Sequence, residues 1–455
     1  MKVLANQRAV QPLPRKLNRS LNLVEAISLA TSDISPTTGV FANIPVVLAL
    51  AGTGSFTVAL LAAVTALCVA VTMAEIGSAF PQSGGIYSVI SRVFGARVGF
   101  VALIAYLAEG IFIPAITSMG AATYLVAVFP QLNVHLVAVV IMLLATGIAI
   151  MNISATGKFT TGLLVLELLV VTGITVGCLL HLQQPVSTLF SGRVFVSGNV
   201  RPVTVTTMFA AMAVMLLSFN GFDSALNFSE ELKGNQQRVG RSVITAAVIG
   251  IIAQLIPLAL IMLAAPSLTA FLRAGNPVNY VAQSVLGGPG HVLLSLGIAV
   301  AMFACTIAVL LQFSRVLYTS GRDHMWFGAL NRWLQSLHPR YQTPWKATIL
   351  VGGLGVALNG ISNLGDLVAF TAVLIVVLYA SIGSCDLVAR LRRTRLPYRS
   401  RLGVIAPIIT IAASLYALSQ QAPKNLLISA IILGLAGLTA VLRRPNVLIR
   451  KEATK

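Results

Sequence analysis

The sequence carries a hydrophobic segment roughly every thirty to forty residues, and each segment is long enough to cross a lipid bilayer. A membrane-spanning helix needs about 20 mainly apolar residues. About twelve such segments can be placed along the 455 residues, which leaves no stretch for a separate soluble domain. Hydrocarbon offers the backbone no hydrogen-bond partners, so such segments fold as helices. The pattern predicts an all-α integral membrane protein with twelve transmembrane helices.

Composition and charge agree with this class. The chain is 57% hydrophobic and 9% charged, whereas soluble proteins carry about 25% charged residues. With the N-terminus inside, 27 of the 31 Lys and Arg residues fall in inner segments, the bias expected of inserted helical proteins. The net charge of +19 therefore indicates attraction to inner-leaflet lipids rather than a nucleic-acid partner. We expect a multi-pass cell-membrane protein with both termini cytoplasmic.

Cysteine and histidine patterns point away from metal or nucleophilic chemistry. The cysteines stand singly in apolar segments, at Cys68, Cys178, Cys305 and Cys385. No two histidines have metal-binding helical spacing. The sequence predicts no metal site, no cofactor and no enzymatic activity.

The first hydrophobic segment is interrupted at Thr31–Phe41, which reads T-S-D-I-S-P-T-T-G-V-F. Pro36 removes a backbone donor, Gly39 tolerates any φ, and polar side chains surround them. Within a bilayer, such a break survives where it faces buried protein or a water-filled cavity. A proline-kinked helix stabilised by its own Ser and Thr residues is the alternative interpretation.

A second interruption lies halfway along the chain, within Met215–Lys233. A packing glycine would explain Gly221 but not the neighbouring Asn220 and Asp223. Each interrupted segment is the first in a group of five, which suggests the inverted repeats of secondary transporters. The repeats would cover about residues 21–183 and 203–395.

The remaining divisions follow from this arrangement. The transport core would be 21–395, two further helices would occupy 396–443, and cytoplasmic tails would be 1–20 and 444–455. The first twenty residues contain no apolar core or cleavage site, so no removable signal peptide is expected.

Two further acids lie inside predicted spans, Glu109 in the third and Glu167 in the fifth. A carboxyl group at membrane depth is costly and is expected to face the interior. Glu109 is either functional or a protonated group that hydrogen-bonds a neighbouring helix. Because no Lys, Arg or His lies centrally in a predicted span, an amine-bearing substrate is predicted.

Several stretches resemble the amino acid-polyamine-organocation (APC) superfamily of transporters. They include P-Q-S-G-G-I-Y-S-V-I-S-R-V-F-G at Pro81–Gly95, N-I-S-A-T-G-K at Asn152–Lys158, the second interruption, and S-R-V-L-Y-T-S-G-R at Ser314–Arg322. The resemblance implies the LeuT-like fold, with broken helices 1 and 6. It also implies a permease that moves amino acids or related amines by alternating access, as a symporter or antiporter.

The resemblance assigns roles to the first break. Backbone amides of Thr37, Thr38 and Gly39 would attract a substrate carboxylate, with Asp33 and Ser35 beside them. The family usually has Gly-Ser-Gly here, so the larger side chains of Thr37 and Thr38 are expected to narrow the substrate pocket.

It also assigns roles to the second break. Carbonyls around Phe219 and Asn220 would accept hydrogen bonds from a substrate amine, next to Gly221 and Asp223. Phe219 or Phe222 would serve as a gate.

Proton coupling is the last prediction. An enclosed carboxyl group has its charged form disfavoured unless a cation lies beside it. We expect Asp223 to carry the co-transported proton, with Asp33, Glu109 or Glu167 as further candidates. Alternatively, Asp223 only caps the broken helix. A sodium-coupled or uniport carrier of the same fold, and a non-transporting receptor or scaffold, remain alternatives.

Overall fold

A computed structural model describes residues 22–80, 84–151, 157–196, 198–227, 232–233, 237–394 and 396–443. These residues are mainly helical. The α-helices in chain order are α1 (Leu23–Ile34), α2 (Pro36–Thr38), α3 (Ile44–Ala51), α4 (Ser55–Ala79), α5 (Gly85–Phe94), α6 (Ala96–Val128), α7 (Val134–Met151), α8 (Gly157–Leu180), α9 (Val205–Ser218), α10 (Ser224–Asn227), α11 (Gln237–Leu263), α12 (Leu268–Arg273), α13 (Pro277–Arg322), α14 (Gly328–Leu334), α15 (Trp345–Ile361), α16 (Leu364–Leu391), α17 (Ile405–Ser419) and α18 (Pro423–Arg443).

Seven helical stretches within the described residues are long and apolar enough to cross a membrane. They are Leu23–Ala79, Ala96–Val128, Val134–Met151, Gln237–Leu263, Pro277–Arg322, Leu364–Leu391 and Pro423–Leu442. The first stretch has 57 residues and is interrupted at Gly52, whose φ is 50°. Shorter apolar helices are Gly85–Phe94, Leu164–Leu180, Val205–Ser218, Trp345–Ile361 and Ile405–Ser419. A helical, multi-pass membrane protein is thereby confirmed, and the count of twelve spans stays a prediction.

The helices differ in how much of their surface is buried by protein. In α16, 72% of the most apolar window is buried, whereas the figure is 28% in α7 and 17% in α18. The exposed side chains of α18 include Leu435, Leu438 and Leu442. Apolar side chains exposed along a spanning helix are suited to lipid contact. α7 and α18 therefore lie at the periphery, while α16 belongs to the interior of the bundle.

The interior is built around α6 and α13, which pack along each other, and α4 packs along α11. Within α4, the buried face includes Ala59, Ala62, Ala66 and Ala70. Small residues let helix backbones approach closely, which is how membrane helices gain packing energy. Long helix α13 is interrupted at Gly287, with φ at 65°.

An ion-pair cluster joins the C-terminal end of α16 to α4. Arg390 Nε donates to Asp386 Oδ2 (2.7 Å), and the same guanidinium pairs with Glu75. The backbone N–H of Ser400 donates to Glu75 Oε1 (2.6 Å). Both acids are fully buried. Removing one partner of a buried pair typically costs about 3–5 kcal/mol, so the cluster fastens the α16–α17 connection to α4.

A hairpin of two antiparallel strands, β1 (Arg193–Val196) and β2 (Asn199–Pro202), precedes α9. The backbone N–H of Arg193 donates to Thr53 Oγ1 (2.7 Å). The hairpin is thereby attached to the turn between α3 and α4.

Candidate functional site

The first break is a single residue wide. Helix α1 ends at Ser35, whose φ of 45° and ψ of 80° are left-handed, and Pro36 begins α2. Proline suits the first helical position because its missing N–H would have no partner there. Ser35 Oγ accepts from the N–H of Thr38 (3.4 Å) and contacts Thr38 Oγ1 (2.9 Å). A π-helical turn over Gly39–Asn43 then leads into α3.

Glu167 of α8 supports this break from the side. Ser35 Oγ donates to Glu167 Oε1 (3.3 Å), and Thr37 Oγ1 donates to the Glu167 backbone oxygen (3.4 Å). The Glu167 side chain is 1% exposed. The fifth-span acid predicted from the sequence therefore contacts the first break directly.

The second break is wider. Helix α9 ends at Ser218, the turn Phe219–Asp223 follows, and α10 starts at Ser224. Gly221 has a φ of 122°, which a side chain rarely allows. A Cβ atom at Gly221 would collide with the backbone of Asp33 and Ile34. The two breaks are thus in backbone contact.

Side chains from two other helices hold this turn in place. Asn220 Nδ2 donates to Glu109 Oε1 of α6 (2.6 Å), and Asn220 Oδ1 accepts from the hydroxyl of Tyr379 on α16 (2.8 Å). Tyr106 OH of α6 donates to Asp223 Oδ2 (2.9 Å). Glu109 therefore accepts a hydrogen bond from the second break, and its protonation state and its role stay predictions.

Gln254 of α11 bridges the breaks. It accepts from Ser218 Oγ (2.5 Å) and donates to the Ser218 backbone oxygen (2.8 Å). A Cβ atom on Gly39 would collide with its amide. One amide therefore caps the end of α9 and packs against the first break.

Gln312 of α13 also connects the two breaks, beside the acids Asp33 and Asp223. With its amide oriented so that both atoms are hydrogen-bonded, the nitrogen donates to Asp33 Oδ1 (2.5 Å) and the oxygen accepts from Asn227 Nδ2 (3.0 Å). Asn227 Nδ2 also donates to Tyr106 OH (3.0 Å). Polar contacts thus run from Asp33 to Asp223.

A cavity lies where the breaks meet. Its lining comprises Asp33, Ile34, Ser35, Thr38, Asn43, Glu109, Ile113, Ile116, Thr117, Leu217, Asn220, Gly221, Asp223, Cys305, Val309, Gln312 and Phe313. Among these described residues three are acids and none is Lys, Arg or His. Asp33 is partly exposed, whereas Glu109 and Asp223 are each 2% exposed. The cavity is negatively charged wherever these acids are ionised.

The predicted substrate-binding residues divide into two groups. Six line the cavity: Asp33, Ser35, Thr38, Asn220, Gly221 and Asp223. Thr37 and Gly39 instead pack against Glu167 and Gln254. Phe219 and Phe222 are buried, and Phe222 stacks on Tyr379 with ring centroids 6.2 Å apart.

Several residues at the site were not singled out from the sequence, namely Tyr106, Gln254, Gln312 and Tyr379. Gln254 and Gln312 carried a usable signal, because an amide inside an apolar span is as noteworthy as an acid. The tyrosines carried none, since their hydroxyl partners lie on distant segments.

Some of the quoted motif residues lie outside the described part of the chain. These are 81–83 of the glycine-rich stretch and 152–156 of the fifth-span motif, and the side chain of Lys158 is not described either.

The fold and the cavity define a helical membrane protein with an acid-lined cavity between two interrupted helices. The model of the amino acid permease family matches residues 21–436. The chain belongs to this family. Its relatives are transporters and permeases, so the expectation of a transporter and not an enzyme is confirmed.

Individual relatives are distant but cover most of the chain. The serine/threonine exchanger SteT of Bacillus subtilis is 26% identical over 438 residues, 93% of this chain and 96% of that protein. The low-affinity putrescine importer PlaP of Escherichia coli is 24% identical over 369 residues, 79% of this chain and 80% of that protein. A mutant of the Eremococcus coleocola manganese transporter has a similar fold, with a TM-score of 0.59, 14% identity and 92% of each chain covered.

Proposed function

We propose that this protein is a secondary active transporter that moves amino acids or related amines across the cytoplasmic membrane by alternating access. The observation that carries the proposal is the cavity at the two breaks, whose described lining has three acids and no basic side chain. An ammonium group complements such a lining. The activities of two relatives, serine/threonine exchange and putrescine import, fit the same class of substrate.

We propose twelve transmembrane helices arranged as two inverted repeats of five plus two. The first repeat would hold α1 to α3 as one broken helix, followed by α4, α6, α7 and α8. The second would hold α9 with α10, then α11, α13, α15 and α16, and α17 and α18 would follow. The position of a break at the start of each group supports this division. Both tails would be cytoplasmic.

We further propose that transport is coupled to protons or occurs by exchange, with Asp223 as the coupling group. Asp223 lies in the second break, lines the cavity and is hydrogen-bonded by Tyr106. It would accept a proton from outside and release it inside, with Asp33 or Glu167 as a partner. A sodium-coupled or uniport carrier of the same fold is the alternative.

Reconstitution into proteoliposomes tests both the function and the coupling. We expect counterflow of radiolabelled amines or amino acids, and accumulation driven by an inward proton gradient without sodium. Asp223→Asn keeps an acceptor for Tyr106 but cannot titrate, so it should retain folding, lose proton-driven accumulation and flatten the pH profile of exchange.

The matched control is Asp366→Asn, because Asp366 lies at the start of α16 and hydrogen-bonds Asn363 rather than the cavity. It should leave accumulation unchanged. Accumulation by Asp223→Asn against a gradient, with an unaltered pH profile and no sodium requirement, would show that Asp223 only caps the broken helix. Absence of any counterflow in the unmodified protein would refute the transport function.

A further inference from the structure

The connector between α16 and α17, residues 392–404, carries more positive charge than the described acids around it balance. Its sequence contains no acid. Its described part has exposed arginines at four positions, Arg392, Arg393, Arg399 and Arg401. The two buried acids beneath it, Glu75 and Asp386, pair with Arg390 and so leave at most one negative charge. Arg399 moreover repels the guanidinium of Arg390. An anion placed against the connector would relieve this repulsion.

The connector is held in a fixed position by hydrogen bonds to two neighbouring helices. The N–H of Tyr398 donates to Ser78 Oγ of α4 (3.1 Å), beside the bond from Ser400 to Glu75 described above. The guanidinium of Arg392 donates to the backbone oxygen of Val93 in α5 (2.7 Å). Charges on a backbone that is already ordered bind a ligand with a smaller loss of conformational entropy.

Helix α11 contributes a further arginine at the edge of the connector. Gln237 Nε2 donates to a connector backbone oxygen (3.3 Å), and a Cβ atom on Gly240 would lie 2.9 Å from Cγ of Tyr398. Arg241 lies one turn after Gln237 on the same helix face, and Arg399 directly follows Tyr398. Both arginines are exposed, and neither belongs to an ion pair among the described residues. Two guanidinium groups therefore flank one contact between α11 and the connector.

Exposed apolar side chains follow these arginines where α17 begins. Leu402, Val404 and Ile405 are 45%, 49% and 59% exposed. Apolar side chains exposed at the end of a spanning helix are suited to lipid acyl chains. Guanidinium groups bind phosphate through paired hydrogen bonds, and basic clusters at the ends of membrane helices attract anionic headgroups. Positive charge beside apolar surface favours a phospholipid over a soluble anion.

We propose that Arg241 and Arg399 together bind the phosphate of one anionic phospholipid, whose acyl chains lie against the exposed apolar residues at the start of α17. Arg401 adds positive charge to the site. The bound lipid links α11 to the connector, which the cluster around Glu75 fastens to α4. In the proposed topology this site faces the cytoplasmic leaflet. It is separate from the cavity between the two breaks and does not depend on which solute is transported.

Lipid-dependent thermal unfolding of the purified full-length protein in detergent tests the proposal. Phosphatidylglycerol, phosphatidylcholine and inorganic phosphate are titrated in parallel. A ligand that binds the folded state raises the unfolding temperature, so we expect phosphatidylglycerol to stabilise the protein at concentrations at which the other two do not. Equal stabilisation by phosphatidylcholine would show that headgroup charge is not recognised. Equal stabilisation by inorganic phosphate would show that the site binds a soluble anion. Either result overturns the proposal.

Single substitutions locate the lipid. Arg241→Gln and Arg399→Gln should each raise the half-saturating concentration of phosphatidylglycerol about fivefold. Arg399→Lys keeps the charge but loses the paired hydrogen bonds, so its effect should be smaller. The matched control is Arg340→Gln, because Arg340 is an exposed arginine in the loop between α14 and α15, on the same proposed side. It should leave the concentration unchanged. An equal shift in Arg340→Gln would show that total charge, rather than this site, attracts the lipid.

The double variant tests whether the two arginines share one phosphate. If they do, Arg241→Gln combined with Arg399→Gln should weaken lipid binding by less than the product of the two single effects. Single effects that multiply, to about 25-fold, would show two independent charges and refute a shared phosphate. Each titration is referred to the unfolding temperature of the same variant without lipid, so a general loss of stability does not imitate a loss of binding.

Discussion

The two helix breaks that form the cavity are built in different ways. At the first, one residue leaves the helical conformation, Ser35 accepts from the N–H groups of Thr38 and Gly39, and its hydroxyl donates to Glu167. At the second, the chain makes a five-residue turn at Phe219–Asp223 that is held by side chains from α6 and α16, and Gln254 of α11 caps the helix end that precedes it. The first break is therefore encoded largely by local sequence, and the second depends on the assembled bundle.

This difference suggests that the two breaks respond differently when the surrounding helices move. A break held by its own side chains keeps its shape when neighbouring helices shift. A break held by three helices changes when any of them moves, which is the behaviour needed of an element that responds to ligand. The following substitutions test whether the two breaks are as unlike as their contacts indicate.

The largest loss of stability is expected at Gly221, where the two breaks are in contact. Gly221→Ala adds a Cβ at a φ of 122° against the backbone of Asp33 and Ile34. Neither backbone can move without displacing its helix, so we expect a loss of about 3 kcal/mol in stability. Thermal unfolding in detergent and the yield of monodisperse protein would measure it.

Gly173→Ala serves as the control, because Gly173 lies within α8 with nothing near its missing Cβ. It should be neutral or slightly stabilising. If Gly221→Ala behaves like Gly173→Ala, the breaks are not in backbone contact.

An intermediate loss of stability is expected at Gln254, which contacts both breaks. Gln254→Leu keeps the volume beside Gly39 but leaves the hydroxyl and carbonyl of Ser218 without their partner, at a cost of about 2 kcal/mol. The same thermal assay applies. Gln421 follows α17 and donates to backbone oxygens of α17 and α9, but it lies outside both breaks. Gln421→Leu should cost clearly less, and equal losses would argue against a special bridging role.

The smallest loss of stability is expected when the hydroxyl of Tyr379 is removed. Tyr379→Phe retains the stack on Phe222 but removes the hydrogen bond to Asn220, at about 1 kcal/mol. Because Asn220 also binds Glu109, the apparent affinity for an amine should change together with stability. Tyr416→Phe, an exposed position, should alter neither. A change in stability without any change in affinity would limit α16 to a scaffolding role.

The difference between local and long-range contacts also explains which features of the fold and the site the sequence predicts. The membrane class follows from segment length and composition, and both breaks follow from polar residues and glycines inside apolar runs. The acids Glu109 and Glu167 were identified because charge is costly at membrane depth. Their partners were not, because the contact of Glu109 with Asn220 joins residues 111 positions apart. Likewise, Ser35 reaches the N–H groups of Thr38 and Gly39 from a left-handed φ that is common for glycine and rare for serine.

Cys305 gives the cavity a chemical reporter of its own. The thiol lies in the lining and is 3% exposed, and the other three cysteines, Cys68, Cys178 and Cys385, are buried outside that lining. Under the proposed alternating access, a water-soluble maleimide added on one side of the membrane can alkylate Cys305 only while the cavity is open to that side. The alkylation rate of the unmodified protein therefore measures how often each side opens, and a bound ligand should slow it. Opening can thus be timed without an engineered label.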